Sequence, residues 1–566
     1  MKMRYILPTA MMAFVVLFTS CVKDLEVKNI NPQQLSDFNE DYIFNKIYSN
    51  LVLTGQTGPN GDSDLSDIDE GTSNMTRLIW YMNVLTTDEG HCWWNDAGVP
   101  ELNRNSWTNS NALIKALYYR LMFGVTLCNF YLDSATSDNA ETNQRRAEAR
   151  FMRAFHYFFL MDLFANPPFL TKLSSDNAPQ IKRADLFVYL ENELKAILGE
   201  TGGDEVLAEP RTINYGRADK AAAMLLLARM YINAEVYTGT PRWADAKRYA
   251  DMAINTSYEL CTKDNSISTT SGFSPYQLLF MGDNDTNGAQ NEIILPALHD
   301  GDKTQTWGGS LYMIASNMSN TMKDTDLYGV TDANGDPIKG YGTTEAWDRG
   351  VRARKQFSQV FFGSTAKSVI KGAPKDVVPY VGDDRAIFYT LNQSLSIDNE
   401  SSTASGLIYM KYNNLHADGS SGHDPGSRFV DTDYPMLRLA EAYLISAEAD
   451  ARQNGGSCTA TGIDRIKALR KRANVTANNK YDSTSPDALT NVSLEDIFKE
   501  WSREFGYEGM RRMVLVRWNR FAGQSDYVWE WMGGTKDGTQ FDQRFNIFPI
   551  PDSELNANPN IKPNYQ

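Results

Sequence analysis

Apolar residues at helical spacing are the feature that most limits the folds open to this chain. Between residues 143 and 164, bulky apolar side chains recur every three or four positions, and Asn166 with two prolines ends the pattern. From 216 to 236 alanines alternate with larger residues, and 242–255 continues as a further helix. Residues 216–257 therefore predict a close-packed helix pair of roughly tetratricopeptide-repeat length.

A related pattern returns near the C-terminus. Apolar periodicity over 434–452, 462–473 and 494–521 predicts three more helices. Because the two blocks are far apart in sequence, stacking them requires the intervening chain to leave the scaffold and come back. We predict a mainly α fold, with a tetratricopeptide-like helix-pair scaffold over about 30–257 and 431–521.

The intervening chain has a different character. Residues 260–430 are rich in Gly, Asn, Asp, Ser and Thr, with a short β-like run at 292–296 and turn signals such as Asn334-Gly335. Long loops held by a rigid frame are common positions for binding residues. We predict a loop-rich binding region that includes about 60–110 and 260–430.

A short apolar leader ends at Cys21. Lys2 and Arg4 precede an apolar run that is shorter than the roughly 20 residues needed to span a membrane. The leader resembles a bacterial lipoprotein signal over residues 1–20, and acylation of Cys21 would tether the remaining chain to a membrane surface. The alternative is an ordinary secretory leader in which the cysteine is incidental.

Composition and motifs exclude several functional classes. A formal net charge of −15 argues against a nucleic-acid partner. The chain contains no Walker loop, H-E-x-x-H, G-x-S-x-G or dinucleotide fingerprint, and its cysteines form no C-x-x-C pair. With 70 Asp and Glu residues, a pair of carboxylates in the sequence is no sign of catalysis.

Aromatic residues point instead to recognition by stacking. The chain has 11 Trp, 28 Tyr and 26 Phe, and Trp93-Trp94, Trp307 and Trp347 lie among glycines and polar residues that favour turns. Pyranose rings offer apolar faces to indoles and hydroxyls to polar side chains. The alternative is that each tryptophan is a core anchor.

Several segments together resemble the SusD/RagB family of glycan-binding outer-membrane lipoproteins. They are the leader, Asp69-Glu70-Gly71, Arg77, residues 85–89, 217–222, 431–435, 438–443, 503–505, 508–512 and 548–551. The resemblance covers essentially the whole chain and is closest to the family's starch-binding founder. It implies one family-like body over residues 21–566.

The resemblance also implies a function and a set of site residues. Members capture a glycan at the cell surface without catalysis and deliver it to a SusC-like TonB-dependent transporter, so we expect an α-glucan ligand. Matching the family residue by residue assigns glycan contacts to Trp93, Trp94, Asn95, Trp307, Trp347, Arg77 and Asp69.

A structural calcium is a second implication of the resemblance, although no cofactor is required. Matches to Asp285, Asp431 and Asp433 imply one calcium site that would join the loop-rich region to the scaffold. An EF-hand is excluded, because its twelfth position would fall on Ile294. Alternatively, Asp433 caps a helix beginning at Tyr434 and residues 283–288 form a plain turn.

Two other functions remain open. A surface glycoside hydrolase would use the same aromatics as subsites and add two carboxylates. A RagB-like peptide-binding protein would reuse the cleft for backbone hydrogen bonds, for which coplanar indoles are not needed.

Overall fold

The computed structural model describes residues 38–523 and 525–565. The predicted lipidation residue Cys21 and the leader lie outside these residues. The chain divides between residues 43 and 44. The first described helix, Glu40–Ser49, crosses this boundary, and the packing and sites below belong to residues 44–566. No helix in the described residues has the length and apolarity needed to cross a bilayer.

Helices dominate the described residues, so the prediction of a mainly α fold is confirmed. They are α1 Glu40–Ser49, α2 Met75–Trp80, α3 Val99–Asn103, α4 Ala112–Ser134, α5 Ala140–Phe164, α6 Arg183–Ile197, α7 Lys220–Ile232, α8 Ala234–Thr238, α9 Trp243–Ile254, α10 Ser268–Ser271, α11 Pro275–Leu278, α12 Gly309–Ala315, α13 Lys355–Phe362, α14 Pro374–Val381, α15 Leu439–Gln453, α16 Ala460–Arg472, α17 Leu494–Phe505, α18 Arg511–Arg517 and α19 Asp552–Ala557.

Helix pairs from both halves of the sequence pack together as predicted. Helix α9 packs against α7 and against α15, and α15 also packs against α16 and α17. Helix α7 begins where the Asp219 carboxylate accepts hydrogen bonds from the N–H groups of Ala221 and Ala222, at 2.9 and 3.4 Å. The alanine-rich faces of α7, α9 and α15 are buried between these helices.

Two predicted helices are wrong in part. The segment Tyr434–Arg438 is a strand, and α15 begins only at Leu439, so Asp433 is not a helix N-cap. The predicted helix 494–521 is two helices, α17 and α18. The break between them contains Tyr507 and Gly509, both with positive φ (64° and 71°), a conformation that a helix interior cannot accept.

The strands are short and form three antiparallel pairs. They are β1 Gly90–Cys92, β2 Ile293–Ala297, β3 Val351–Ala353, β4 Phe388–Tyr389, β5 Ile408–Tyr409 and β6 Tyr434–Arg438, paired as β1–β3, β2–β6 and β4–β5. Strand β2 lies near the start of the loop-rich region and β6 directly precedes α15. Their pairing therefore joins that region to the helical scaffold.

Buried ion pairs reinforce the same junction. Arg438, at the end of β6, donates to Glu504 of α17 at 2.7 Å and to Glu292, just before β2, at 3.0 Å. Arg472 of α16 contacts both of these carboxylates. All four side chains are fully buried or nearly so, and such a network is costly to break on one side only.

Candidate functional site

Two half-buried indoles, Trp94 and Trp347, lie side by side at the edge of the loop-rich region. Their ring centroids are 6.2 Å apart and their planes are inclined by 55°. Both rings also pack against the ring of Tyr312 in α12, with centroid distances of 6.1 Å for Trp94 and 6.2 Å for Trp347. Tyr312 is fully buried, so it forms the floor on which the two partly exposed rings rest. Together with Trp307, described below, Trp94 and Trp347 are called the aromatic surface.

Trp94 is positioned by the β1–β3 pairing that precedes it. The pairing continues into a hydrogen bond from the N–H of Trp93 to the carbonyl of Gly350 at 3.0 Å, and the next indole lies directly over Gly350. A Cβ at position 350 would be 2.2 Å from Cζ2 of Trp94. Only glycine allows the ring to lie this close to the backbone.

Trp347 is held at both its backbone and its indole nitrogen. Its N–H donates to the carbonyl of Ala315 at 2.8 Å, and its Nε1 donates to Glu345 Oε2 at 3.2 Å. The two residues that follow, Asp348 and Arg349, both have positive φ (50° and 54°). Consecutive non-glycine residues with positive φ have a strained backbone. Such strain persists where surrounding contacts fix the conformation, often at functional sites.

Trp307 occupies the loop before α12 and is also half-buried. Its backbone N–H donates to Glu70 Oε2 at 3.1 Å. Its ring packs against Phe429 at 5.1 Å, and the Arg428 guanidinium lies 4.9 Å from the ring centroid. Contacts from two separate loops therefore hold this indole.

An ion pair links the two sides of the aromatic surface. Glu345, which accepts from the Trp347 indole, also accepts from Arg428 Nε at 3.0 Å. Arg428 in turn covers Trp307, so Trp347, Glu345, Arg428 and Trp307 form a continuous chain of contacts. The Arg428 side chain is 52% exposed and can donate further hydrogen bonds to a ligand.

The predicted polar contacts Arg77 and Asp69 differ in accessibility. Arg77 is buried, with its guanidinium 4.2 Å from the Tyr312 ring centroid and two hydrogen bonds to the Tyr81 hydroxyl at 3.0 and 3.2 Å. Its Nη1 also donates to the carbonyl of Trp307 at 3.4 Å. Arg77 thus supports Tyr312 and the Trp307 loop from below, while Asp69 is exposed.

The other two predicted contacts differ from each other. Trp93 is half-buried, and its indole Nε1 is enclosed without a hydrogen-bond partner among the described residues. Asn95 is exposed beside Trp94 in the sequence, where its amide is open to solvent. Trp93 therefore belongs more to the support of the site, and Asn95 to its surface.

Sequence reasoning missed Tyr312, Glu345 and Arg428. Tyr312 lies in an ordinary apolar helical segment, where no local pattern separates a floor residue from any other core residue. Glu345 and Arg428 are 83 positions apart, and their pairing depends on how the two loops fold. The only signal available was the position of Glu345 two residues before Trp347.

The predicted calcium ligands lie around a buried carboxyl. Asp433 is 2% exposed, and burial together with the nearby charges of Asp285 and Asp431 raises its pKa to about 8. Asp431 is also buried, whereas Asp285 is exposed. A divalent cation beside Asp433 would favour its charged form, but Asp285, Asp431 and Asp433 do not form a group of three whose ligand atoms lie close enough together in the described residues to hold one ion. Calcium binding at these residues remains a prediction.

A helical scaffold that offers partly exposed tryptophans from its loops defines a surface ligand-binding protein, and comparison with known proteins supplies the family. A model described as the SusD family matches residues 242–566. A second, described as "Starch-binding associating with outer membrane", matches residues 25–232. The chain belongs to the SusD family.

Relatives over the full length agree with this assignment. The chain is 36% identical to the "Starch-binding protein SusD" of Bacteroides thetaiotaomicron, over 100% of this chain and 99% of the relative. It is 23% identical to the "SusD-like protein P2" of Formosa agariphila, over 97% of this chain and 93% of that protein.

Solved structures share the fold. "Surface glycan-binding protein A" from Bacteroides uniformis superposes with a TM-score of 0.62 at 19% identity, covering 93% of this chain and 99% of that one. A SusD-like carbohydrate-binding protein from Bacteroides fragilis gives a TM-score of 0.63 at 18% identity, covering 92% and 98%. The predicted family fold is thereby confirmed.

Proposed function

We propose that the chain is a cell-surface binding protein that captures an α-glucan on the aromatic surface and does not cleave it. The observation that carries the proposal is the pair of inclined, partly exposed indoles Trp94 and Trp347, linked through Glu345 and Arg428 to Trp307. The name of the 36% identical relative, a starch-binding protein, supports the choice of ligand.

The geometry of the rings suits a curved sugar chain. Pyranoses stack their C–H faces on indoles and place their hydroxyls around the ring edges. Ring planes inclined by 55° would meet successive sugar units of a chain that bends. Arg428, Asp69 and Asn95 are exposed polar groups that can bind hydroxyls.

The proposal extends to the place where the protein acts. We infer attachment to the outer membrane through acylated Cys21 and transfer of the glycan to a SusC-like TonB-dependent transporter. The description of the family model over residues 25–232, which names association with the outer membrane, supports the location. Replacing Cys21 by Ala should release the protein from the membrane fraction, and retention of the variant there would contradict lipid anchoring.

Ligand choice and site can be tested together by affinity electrophoresis. The wild-type protein should be retarded in gels containing starch or pullulan more than in gels containing dextran or levan. Trp94→Ala and Trp347→Ala should each lose about 1–3 kcal/mol of glucan affinity, as binding hot spots do. Trp243→Ala is the matched control, because Trp243 is equally half-buried but lies on α9 of the scaffold.

The outcome separates this function from its alternatives. Equal retardation of wild type and both site variants would contradict the aromatic surface as the binding site, and retardation only by levan or dextran would contradict an α-glucan of the starch type. Prolonged incubation with starch should leave the chain-length distribution unchanged. Shortened products lost in the site variants would instead indicate a glycoside hydrolase.

A further inference from the structure

A histidine and two aspartates come together near the start of the segment that leads to Trp307. Asp300, His423 and Asp431 each offer one ligand atom, and these atoms all lie within 4.8 Å of one another. Asp431 is buried, Asp300 is half-buried, and the His423 side chain is 66% exposed. The group therefore has a fixed inner ligand and an open side through which an ion can enter.

The distances suit a small divalent ion. His423 Nδ1 lies 3.1 Å from Asp431 Oδ1. Neighbouring ligand atoms of a tetrahedral ion with bonds of about 2.1 Å are about 3.4 Å apart, so small side-chain movements would complete the geometry. Asp300 Oδ1 accepts the backbone N–H groups of Asp302 and Lys303, both at 3.0 Å, which orient the carboxylate. Its Oδ2 pairs with the exposed Lys303 ammonium at 3.1 Å, and such a surface pair is weak enough for a metal to displace.

A fourth residue holds the buried ligand in place. His416 Nε2 lies 3.3 Å from Asp431 Oδ2, and the other nitrogen of His416 is 3.0 Å from the Ser420 hydroxyl. The backbone N–H groups of Gly301 and His423 also donate to the Asp431 carboxylate, at 2.7 and 2.8 Å. Outer partners of this kind orient a metal ligand and raise the affinity of its site.

The mixture of imidazole and carboxylate indicates the class of metal. Calcium prefers six to eight oxygen ligands, whereas imidazole suits zinc, nickel and copper. We propose that Asp300, His423 and Asp431 bind a divalent transition metal of the Zn²⁺ type, with His416 as a positioning residue. This site is distinct in chemistry from the predicted calcium site, with which it shares only Asp431.

The position of the site connects it to the aromatic surface. Asp300 lies seven residues before Trp307, and His423 lies on the loop that carries Arg428 and Phe429 onto the Trp307 ring. Within the second loop, Asp424 accepts from the backbone N–H groups of both Arg428 and Phe429, at 2.8 and 2.9 Å. A bound metal would hold the two loops together. Any effect of the metal on glycan binding rests on the function proposed above.

Direct titration tests the site without any glycan. Protein stripped with a chelator should bind about one equivalent of Zn²⁺ by calorimetry. His423→Ala and Asp300→Asn should each weaken binding by tenfold or more, and His416→Ala by roughly 10–100-fold, as outer partners do. Asp302→Asn is the matched control, because Asp302 is an exposed carboxylate beside Asp300 that is outside the group.

Hydrogen exchange provides a second readout. Zn²⁺ should slow exchange of backbone amides in 300–307 and 423–429 of the wild type but not of His423→Ala. Unchanged Zn²⁺ affinity in both His423→Ala and Asp300→Asn would overturn the proposal, as would a wild type that binds no Zn²⁺ at 100-fold molar excess.

Discussion

Replacing Gly350 by Ala should displace Trp94 without removing any atom that is proposed to contact the glycan. Gly350 does not have a positive φ, so alanine is compatible with its backbone. Its new methyl group would stand 2.2 Å from Cζ2 and 2.3 Å from Cε2 of the Trp94 indole. Ordinary contact requires at least 3.4 Å, so the ring must move by about 1.2 Å or tilt.

The size of the effect follows from what the displacement costs. A movement of about 1 Å takes the indole out of register with Trp347 and Tyr312, whose centroids are 6.2 and 6.1 Å away. We expect most of the stacking contribution of Trp94 to be lost, about 1–2 kcal/mol or roughly 5–30-fold in affinity. Because Trp94 is only half-buried, the protein should remain folded.

A double-mutant cycle measured by calorimetry with a maltooligosaccharide separates this mechanism from a general disturbance. In a Trp94→Ala background, Gly350→Ala should cost little further affinity, because the ring that it displaces is already absent. If Gly350→Ala weakens binding equally in both backgrounds, or leaves the wild-type affinity unchanged, Gly350 does not act through Trp94.

The remaining predictions concern stability and the link between the loops. Burial opposes ionisation of Glu504, yet the surrounding Arg472, Arg438 and Arg385 lower its pKa to about 2. Its ionised form therefore stabilises the fold above pH 4.5, and this contribution, about 3 kcal/mol, is lost as the pH falls from 4.5 towards 2. Urea unfolding should show a large deficit for Glu504→Gln at pH 7 that shrinks on acidification; a deficit independent of pH would contradict this. Calcium should raise the melting temperature of chelator-treated protein, and a melting temperature that responds to neither chelator nor calcium would remove the calcium prediction. Glu345→Gln should weaken glucan binding several-fold. It should lose less than about 1 kcal/mol of stability, because the partner of Glu345 in the ion pair, Arg428, is half exposed. Calorimetry and thermal melting test the two parts, and unchanged glucan affinity would contradict the proposed link between Trp347 and Trp307 through Glu345 and Arg428.

Much of the scaffold was predictable from the sequence, because long helices carry a strong local signal. Helix α5 ends at Phe164 as the prolines that follow predict, and α9 lies within one residue of its predicted bounds at each end. The predicted helix over 434–452 failed at its start. Tyr434–Arg438 pairs with Ile293–Ala297, and a partner about 140 residues away leaves no trace in the local periodicity.

The tryptophans of the candidate site could be selected from the sequence, but their arrangement and the supporting residues Tyr312, Glu345 and Arg428 could not. Tryptophans among turn-forming residues can be recognised locally, whereas the inclination of Trp94 to Trp347 depends on the buried ring of Tyr312. The family resemblance assigned Arg77 to a sugar contact. It gave no indication that the Arg77 guanidinium packs against Tyr312 and donates to the Tyr81 hydroxyl. Packing of this kind is set by contacts between distant segments.

A crystal structure with a maltooligosaccharide bound tests the central claim most directly. The account predicts glucose rings stacked on Trp94 and Trp347, with the chain continuing towards Trp307 and its hydroxyls within hydrogen-bonding distance of Arg428 or Asp69. An oligosaccharide bound elsewhere, with these three indoles left free, would contradict it.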